Sequence, residues 1–264
     1  MSLHVEVVGA GPPLVLLHGW ALHGGVFAPL VARLRDRFAL HVVDLPGHGH
    51  SRDCGVPLTL QACAEAICAV TPPAAWLGWS LGGLVALKAA AASGQVRALA
   101  MVSSVPRFTA APDWPHAVPP AVFAQFERDL ARDYRGTLER FIALDTLGSP
   151  HGQDTLRTLR AMLFARGEPA PEALRAGLAL LEASDLRHVL PGLGMASLWI
   201  AGARDRLVQP RGMQAAAALT PDGTFSQIAG GGHAPFLAQL DAVEAALVPF
   251  LQQAMDRPDP PARR

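Results

Sequence analysis

A serine hydroxyl is a poor nucleophile unless a base takes its proton and a third group orients that base. The residues to look for are therefore a serine thrust out at a turn, a histidine free to reach it, and a carboxylate behind the histidine. Ser80 meets the first condition, in Gly78-Trp79-Ser80-Leu81-Gly82-Gly83, directly after the apolar run 75–77 and directly before an apolar helical stretch at 81–92. An abrupt strand-to-helix turn strains its middle residue and pushes that side chain past the sheet edge, and flanking glycines let the backbones pass closely. His233 lies in the glycine-rich loop Ala229-Gly230-Gly231-Gly232-His233-Ala234-Pro235-Phe236, after the strand-like run 224–228. Asp205 follows the apolar run 197–201 in Gly202-Ala203-Arg204-Asp205. The 125 residues from Ser80 to Asp205 leave room for a large insertion, and the 28 from Asp205 to His233 for one helix and one strand.

The chemistry of such a set is acyl transfer, which also needs donors for the oxyanion. One is the backbone N–H of Leu81, at the N-terminus of the helix that Ser80 opens, where the helix dipole helps. The second is assigned to the backbone N–H of Trp20, in Leu17-His18-Gly19-Trp20-Ala21-Leu22 after an early strand. Losing one such donor costs about 3–4 kcal/mol of transition-state stabilisation. His4, His41, His116, His151 and His188 sit without glycine support and suit surface or core roles. Asp44 also ends a strand and is the rival acid. It precedes the nucleophile and opens the turn-forming stretch Asp44-Leu45-Pro46-Gly47-His48-Gly49-His50-Ser51, which favours a structural role.

These residues need a scaffold that brings strand ends together. Short, continuously apolar runs at 14–17, 39–43, 75–77, 98–102 and 197–201 read as strands covered on both faces. Helical patterns at 26–36, 60–70, 81–92, 212–219 and 238–253 alternate with them, as in an open, mostly parallel α/β sheet with helices on both faces. From 112 to 190 there is no strand, only helical stretches at 121–147, 155–164 and 171–190. An all-helical insertion ahead of the Asp205 strand reads as a cap over the carboxyl edge of the sheet. The expected organisation is a core of residues 1–111 and 191–255, a cap of residues 112–190 and a frayed tail of residues 256–264.

The chain has 264 residues, half of them hydrophobic, 17% charged, which excludes a disordered chain. Folding should bury about 70% of its surface. Lys+Arg 22 balance Asp+Glu 22, so no net field points to nucleic acid or an anionic membrane. No apolar run reaches the roughly 20 residues of a spanning helix. No positive leader precedes an apolar stretch, and Cys54, Cys63 and Cys68 are an odd set without metal-like spacing. A monomeric cytoplasmic protein is expected. The mechanism calls for neither metal nor organic cofactor. The apolar residues Trp20, Leu22, Trp79, Phe123, Phe126, Phe141, Leu207, Val208 and Phe236 are expected to converge on Ser80 and to suit a medium acyl chain, at roughly 0.8 kcal/mol per buried CH₂.

Leu16-Leu17-His18-Gly19-Trp20, Val43-Asp44-Leu45-Pro46-Gly47-His48-Gly49, Gly78-Trp79-Ser80-Leu81-Gly82-Gly83, Gly202-Ala203-Arg204-Asp205 and Gly232-His233-Ala234-Pro235-Phe236 resemble the α/β-hydrolase superfamily over nearly the whole chain. More narrowly, Trp76 to Ala86, Asp113-Trp114-Pro115, Glu139 to Leu144 and Gly232 to Phe236 resemble the pimeloyl-[acyl-carrier protein] methyl ester esterases of biotin synthesis. That resemblance implies Ser80 as nucleophile, His233 as base, Asp205 as its orienter, and Trp20 and Leu81 as oxyanion donors and substrate contacts. It implies that Phe141, Ile142, Ala143, Leu144 and Asp145 line an acyl tunnel, and that acyl carrier protein is the partner bearing the substrate. Arg135, Arg140, Arg157 and Arg160 are available to grip that acidic partner. Gly136 and Gly152 stand near places where the family would have arginine, which leaves the docking contact open. The 128–166 segment sets seven Arg against five acids, so a solvated face competes with a docking patch. A general carboxylesterase, a thioesterase or a carbon–carbon hydrolase acting on small esters or related substrates remains an alternative, as does a slow-turnover receptor of the same fold. Dehalogenases and epoxide hydrolases are disfavoured because they carry a carboxylate where Ser80 stands.

Overall fold

A computed structural model describes residues 2–146 and 152–255, without the side chain of Asp145. His151 and the 256–264 tail lie outside the described residues. Seven strands form the sheet: β1 (Val5–Val8), β2 (Pro13–Leu17), β3 (Ala39–Val43), β4 (Ala74–Trp79), β5 (Val96–Val102), β6 (Ser197–Gly202) and β7 (Gly223–Ile228). Their order is β1-β3-β2-β4-β5-β6-β7, with β1 antiparallel to β3 and every other neighbouring pair parallel. The expected mostly parallel α/β sheet is therefore observed. β4 and β6 are buried at every residue, which is why their sequences, Ser197 apart, are apolar rather than alternating. β1 is the strand that the sequence did not reveal. It is an edge strand of four residues with two of them exposed, so its sequence carries little apolar signal.

The helices flanking the sheet are α1 (Ala28–Leu34), α2 (Leu60–Val70), α3 (Leu81–Ala92), α8 (Pro210–Ala218), α9 (Pro235–Ala238) and α10 (Leu240–Met255). Helix α3 is buried on nearly every side, as its all-round apolar sequence requires. Between β5 and β6 run α4 (Pro120–Arg132), α5 (Tyr134–Thr146), α6 (Gly152–Leu163) and α7 (Pro171–Ala183). The single helical stretch expected over 121–147 is two helices. Asp133 breaks it by capping the second: its carboxylate accepts the N–H of Gly136 at 3.0 Å and its carbonyl accepts the Thr137 hydroxyl at 2.7 Å. The stretch expected over 171–190 stops at Ala183 and is followed by a 3₁₀ turn at Arg187–Gly192.

Entry to and exit from this helical segment are tied together. Leu186 N–H donates to Pro106 O at 2.9 Å, Arg107 Nη1 to Asp185 Oδ2 at 2.9 Å, and Arg187 Nη1 to Asp113 Oδ2 at 2.9 Å. The Arg187 guanidinium holds the Asp185 carboxyl well below the usual carboxylate range. The winding of the sheet reverses between β2 and β4, with Leu17 opposite Gly78. The loops leaving these two adjacent strands contain Trp20 and Ser80, so both fall at the switch point where ligands bind in open α/β sheets.

Candidate active site

Ser80 lies between β4 and α3 with φ 54° and ψ −120°, in the left-handed region that side-chain-bearing residues avoid. Three hydrogen bonds hold it there. Its N–H donates to Val102 O at 3.1 Å, and its carbonyl accepts the N–H of Gly83 at 2.9 Å and the Ser104 hydroxyl at 2.7 Å. The turn fits only because Gly82 has no side chain: a Cβ there would lie 2.3 Å from the carbonyl oxygen of Leu17 and 2.6 Å from that of His18. The serine is thus pressed against the loop that carries Trp20.

The structure brings His233 and Asp205 to this serine. His233 Nε2 lies 3.0 Å from Ser80 Oγ and its Nδ1 lies 2.8 Å from Asp205 Oδ2. The other carboxylate oxygen of Asp205 accepts the N–H groups of Leu207 at 2.8 Å and Val208 at 2.9 Å, which fixes the carboxylate plane. All three side chains are buried. The His233 loop is held from behind: Trp79 Nε1 donates to the carbonyl of His233 at 2.8 Å, and Trp79 packs edge-on against Phe236. This geometry allows proton transfer from Ser80 to an imidazole whose Nδ1 is already committed to a carboxylate.

Leu81 is the first residue of α3, and no hydrogen bond among the described residues uses its N–H or that of Trp20. The Trp20 side chain points away from the sheet, with Nε1 donating to the carbonyl of Leu174 on α7 at 2.9 Å and its ring meeting Phe141 edge-on at 4.8 Å.

A narrow cavity of about 30 Å³ touches Ser80 and His233 and is otherwise walled by apolar side chains. Phe123, Phe126, Phe141 and Leu207 line it as the sequence suggested, joined by Phe108, Val118, Val122, Leu178 and Leu181. Trp20, Leu22, Trp79, Val208 and Phe236 do not line it; they are buried behind it. Of the missed residues, only Phe108 and Val118 lie off the helices and carry no periodic signal. Phe108 and Val118 meet through a bridge of non-helical backbone, and Leu178 and Leu181 are ordinary core positions of α7. A second space of about 500 Å³ opens between α4 and α5 and shares Val122 and Phe126 with the first. Arg140, Ala143 and Leu144 line it, whereas Ile142 is fully buried and lines neither space. The side chain of Asp145 lies outside the described residues. Arg135, Arg140, Arg157 and Arg160 are all exposed. The first three pair with Glu168, Asp133 and Asp154 respectively.

Asp44, the rival acid, joins a different assembly. Its carboxylate accepts the N–H groups of Gly24 at 2.7 Å and His50 at 2.8 Å, and Arg166 Nη1 lies 3.2 Å from both oxygens. Burial opposes its charge, but His18, those two N–H groups and Arg166 outweigh burial and keep the carboxyl below its ordinary range. His18 donates from Nδ1 to Gly19 O and accepts the Leu45 N–H on Nε2, and burial with the neighbouring His48 pushes its pKa down to about 3. A carboxylate beside His4 and His50 could in principle hold a cation, but Arg166 already neutralises it.

A family model described as the α/β hydrolase fold matches residues 12–239. The pimeloyl-[acyl-carrier protein] methyl ester esterase of Xanthomonas oryzae pv. oryzae (strain MAFF 311018) is 63% identical over 249 residues, covering 94% of this chain and 98% of that protein. The enzyme of the same name from Stenotrophomonas maltophilia (strain R551-3) is 63% identical, covering 94% of this chain and 96% of its own. Among solved structures, an esterase from Exiguobacterium antarcticum superposes with a TM-score of 0.85 at 22% identity, over 95% of both chains, and shows the fold alone. With a family model spanning most of its length and relatives this similar over nearly all of it, the chain belongs to the α/β-hydrolase family.

Proposed function

We propose that this protein hydrolyses the methyl ester of a pimeloyl group carried on acyl carrier protein, releasing methanol and unmasking the carboxylate. The observation that carries the reaction class is the unbroken relay Ser80–His233–Asp205, with contacts of 3.0 and 2.8 Å, at the foot of an apolar cavity. The substrate is inferred from relatives that bear this name and share 63% of their residues with the chain. His233 Nε2 takes the Ser80 proton as Oγ attacks the ester carbonyl. The N–H groups of Leu81 and Trp20 hold the oxyanion, and methanol leaves with the proton returned by His233. Water, deprotonated by the same imidazole, then cleaves the acyl-enzyme and restores the serine.

In this reading the chain divides into an α/β core of residues 1–111 and 191–255 and a helical cap of residues 112–190. The acyl chain runs from Ser80 past Val122 and Phe126 into the space between α4 and α5. Phe126 must turn aside for it, since about 30 Å³ holds no such chain. Arg135, Arg140, Arg157 and Arg160 would meet the acidic carrier. The ion pairs of the first three are exposed and worth about 0.2–1 kcal/mol each, so exchanging them for a partner's carboxylates costs little. Three free cysteines support a cytoplasmic setting. Among the described residues no helix is long and apolar enough to cross a membrane. The only large exposed apolar side chains described are Val7, Val70 and Leu219, on separate elements, which supports a monomer.

Incubation with pimeloyl-[acyl-carrier protein] methyl ester, scored by mass, should yield the free carboxylate, and Ser80→Ala should yield none. An intact methyl ester alongside rapid turnover of short p-nitrophenyl esters would replace this reading with a general carboxylesterase. Wild-type rates in Ser80→Ala would remove the nucleophile assignment.

A further inference from the structure

Trp20 belongs to the sheet by its backbone and to the helical segment by its side chain. Its indole N–H donates to Leu174 O, and one turn further along α7 the chain has Gly177. A Cβ at 177 would lie 2.6 Å from Trp20 Cδ1, 3.0 Å from Trp20 Nε1 and 3.3 Å from Leu81 Cδ2. One glycine of α7 therefore touches both residues whose N–H groups face the oxyanion in the reading above. Glycine inside a helix costs about 1 kcal/mol relative to alanine, so its presence in mid-α7 runs against helix propensity. The loop it presses on has little slack: Ala21, next to Trp20, has φ 67°, and Leu22 N–H closes back on Gly19 O at 3.4 Å.

We infer that Gly177 is a positioning residue, through which α7 seats the Trp20 indole and so sets where the Trp20 N–H stands relative to the ester carbonyl. This rests on the triad and oxyanion assignments just proposed. The acid–base relay is reached from other directions, through Trp79, Leu207 and Val208. A shift in α7 therefore changes oxyanion binding without disturbing proton transfer, and the oxyanion site is complete only while α7 is docked on the sheet edge.

The test compares wild type, Gly177→Ala, Trp20→Phe and the double variant on p-nitrophenyl butyrate. Two inhibitors of the same chain length separate the effects. A trifluoromethyl ketone adds to Ser80 and forms an oxyanion, whereas the matching secondary alcohol fills the pocket and forms none. Gly177→Ala should lower kcat about 10-fold with KM little changed, because a small displacement of a catalytic donor is costly. The trifluoromethyl ketone should weaken by the same factor and the alcohol should bind as before. In the Trp20→Phe background, where no bond to Leu174 O ties the ring against position 177, adding Gly177→Ala should cost less than about twofold, a non-additivity expected of residues in contact.

Unchanged ketone affinity in Gly177→Ala, equal weakening of ketone and alcohol, or an equal kcat loss in both backgrounds would overturn the inference. If Gly177→Ala does not fold, Trp20→Phe carries the test alone. It deletes the bond to Leu174, and selective weakening of the ketone supports the inference whereas unaltered ketone binding overturns it. Fluorophosphonate labelling separates this from the underlying reading. No labelling of Ser80 in the wild type overturns the triad, while labelling of Gly177→Ala at the wild-type rate overturns the positioning role alone.

Discussion

Asp205 and Asp44 are built alike. Each follows the carboxyl end of a parallel strand, each is buried, and each carboxylate accepts two backbone N–H groups, from Leu207 and Val208 in one case and from Gly24 and His50 in the other. They differ in the remaining partner. Asp205 orients His233, which reaches Ser80; Asp44 holds Arg166, which continues to Glu6 on β1 at 3.0 Å. Arg166 follows α6, and His23 beside it donates from Nε2 to Met162 O at 2.8 Å, so the Asp44 assembly fastens the helical segment to the sheet. A carboxylate at a strand end is thus a general anchor. What its last lone pair holds decides whether it serves chemistry or architecture.

The sharpest way to break this comparison is to neutralise each carboxylate in turn. Asp205→Asn should lower kcat about 10³–10⁴-fold, because the imidazole loses the partner that fixes its tautomer. Its urea midpoint should move far less than that of Asp44→Asn. Asp44→Asn takes from the largely buried Arg166 guanidinium its buried charge partner and leaves it only Glu6, whose side chain is exposed. Removing one member of a buried pair costs about 3–5 kcal/mol, so this variant should lose stability while retaining most of its kcat at low temperature. Equal losses of kcat in the two variants would erase the distinction and return Asp44 to the list of catalytic acids.

Acid should weaken the Asp44 assembly as a unit. Burial pushes His48 down to about 4, and burial with His48 pushes the His18 pKa down to about 3. Both are neutral in the fold, while the unfolded chain binds protons on these side chains below about pH 6.5. Stability is therefore full above that pH, declines as pH falls from about 6.5 toward 4 and then 3, and recovers as pH rises. Asp44, held low, adds its own loss as pH falls below its ordinary value of 3.8. Urea midpoints measured from pH 7 to 4.5 should fall steadily, and His48→Gln should flatten that slope. A flat wild-type profile would mean that these imidazoles charge without cost and that the assembly is solvated.

The difference between the two aspartates was partly legible in the sequence. Ser80, Asp205 and His233 stood out because strand ends and glycine turns are local features, and the chain order left few other pairings. Asp44 read as structural because a Pro-Gly turn followed it. Its counter-ion was not legible: Arg166 lies 122 positions away and looks like any arginine after a helix. The cavity wall was half legible for the same reason. Phe126 and Phe141 fall on helical periods, whereas Phe108 and Val118 meet through long-range bridging that no periodicity encodes. The break at Asp133 left a readable trace, an aspartate three residues ahead of a glycine N–H, in a stretch whose apolar spacing argued for continuity.

The smallest expected effect contrasts Arg166 with an arginine on the outer surface. Arg157 pairs with Asp154 at 3.2 Å, but the two side chains are 80% and 73% exposed, so water and salt screen the pair. Arg157→Ala should change stability by less than about 1 kcal/mol and leave p-nitrophenyl butyrate kinetics untouched. On the carrier-borne ester the same variant should raise KM several-fold at low salt, with the difference shrinking as salt is added, because the charge would then be meeting carboxylates of the carrier. An arginine buried against Asp44 is already neutralised inside the molecule. One left in solvent retains its field for a partner, and only a substrate that brings acidic groups of its own would register the loss.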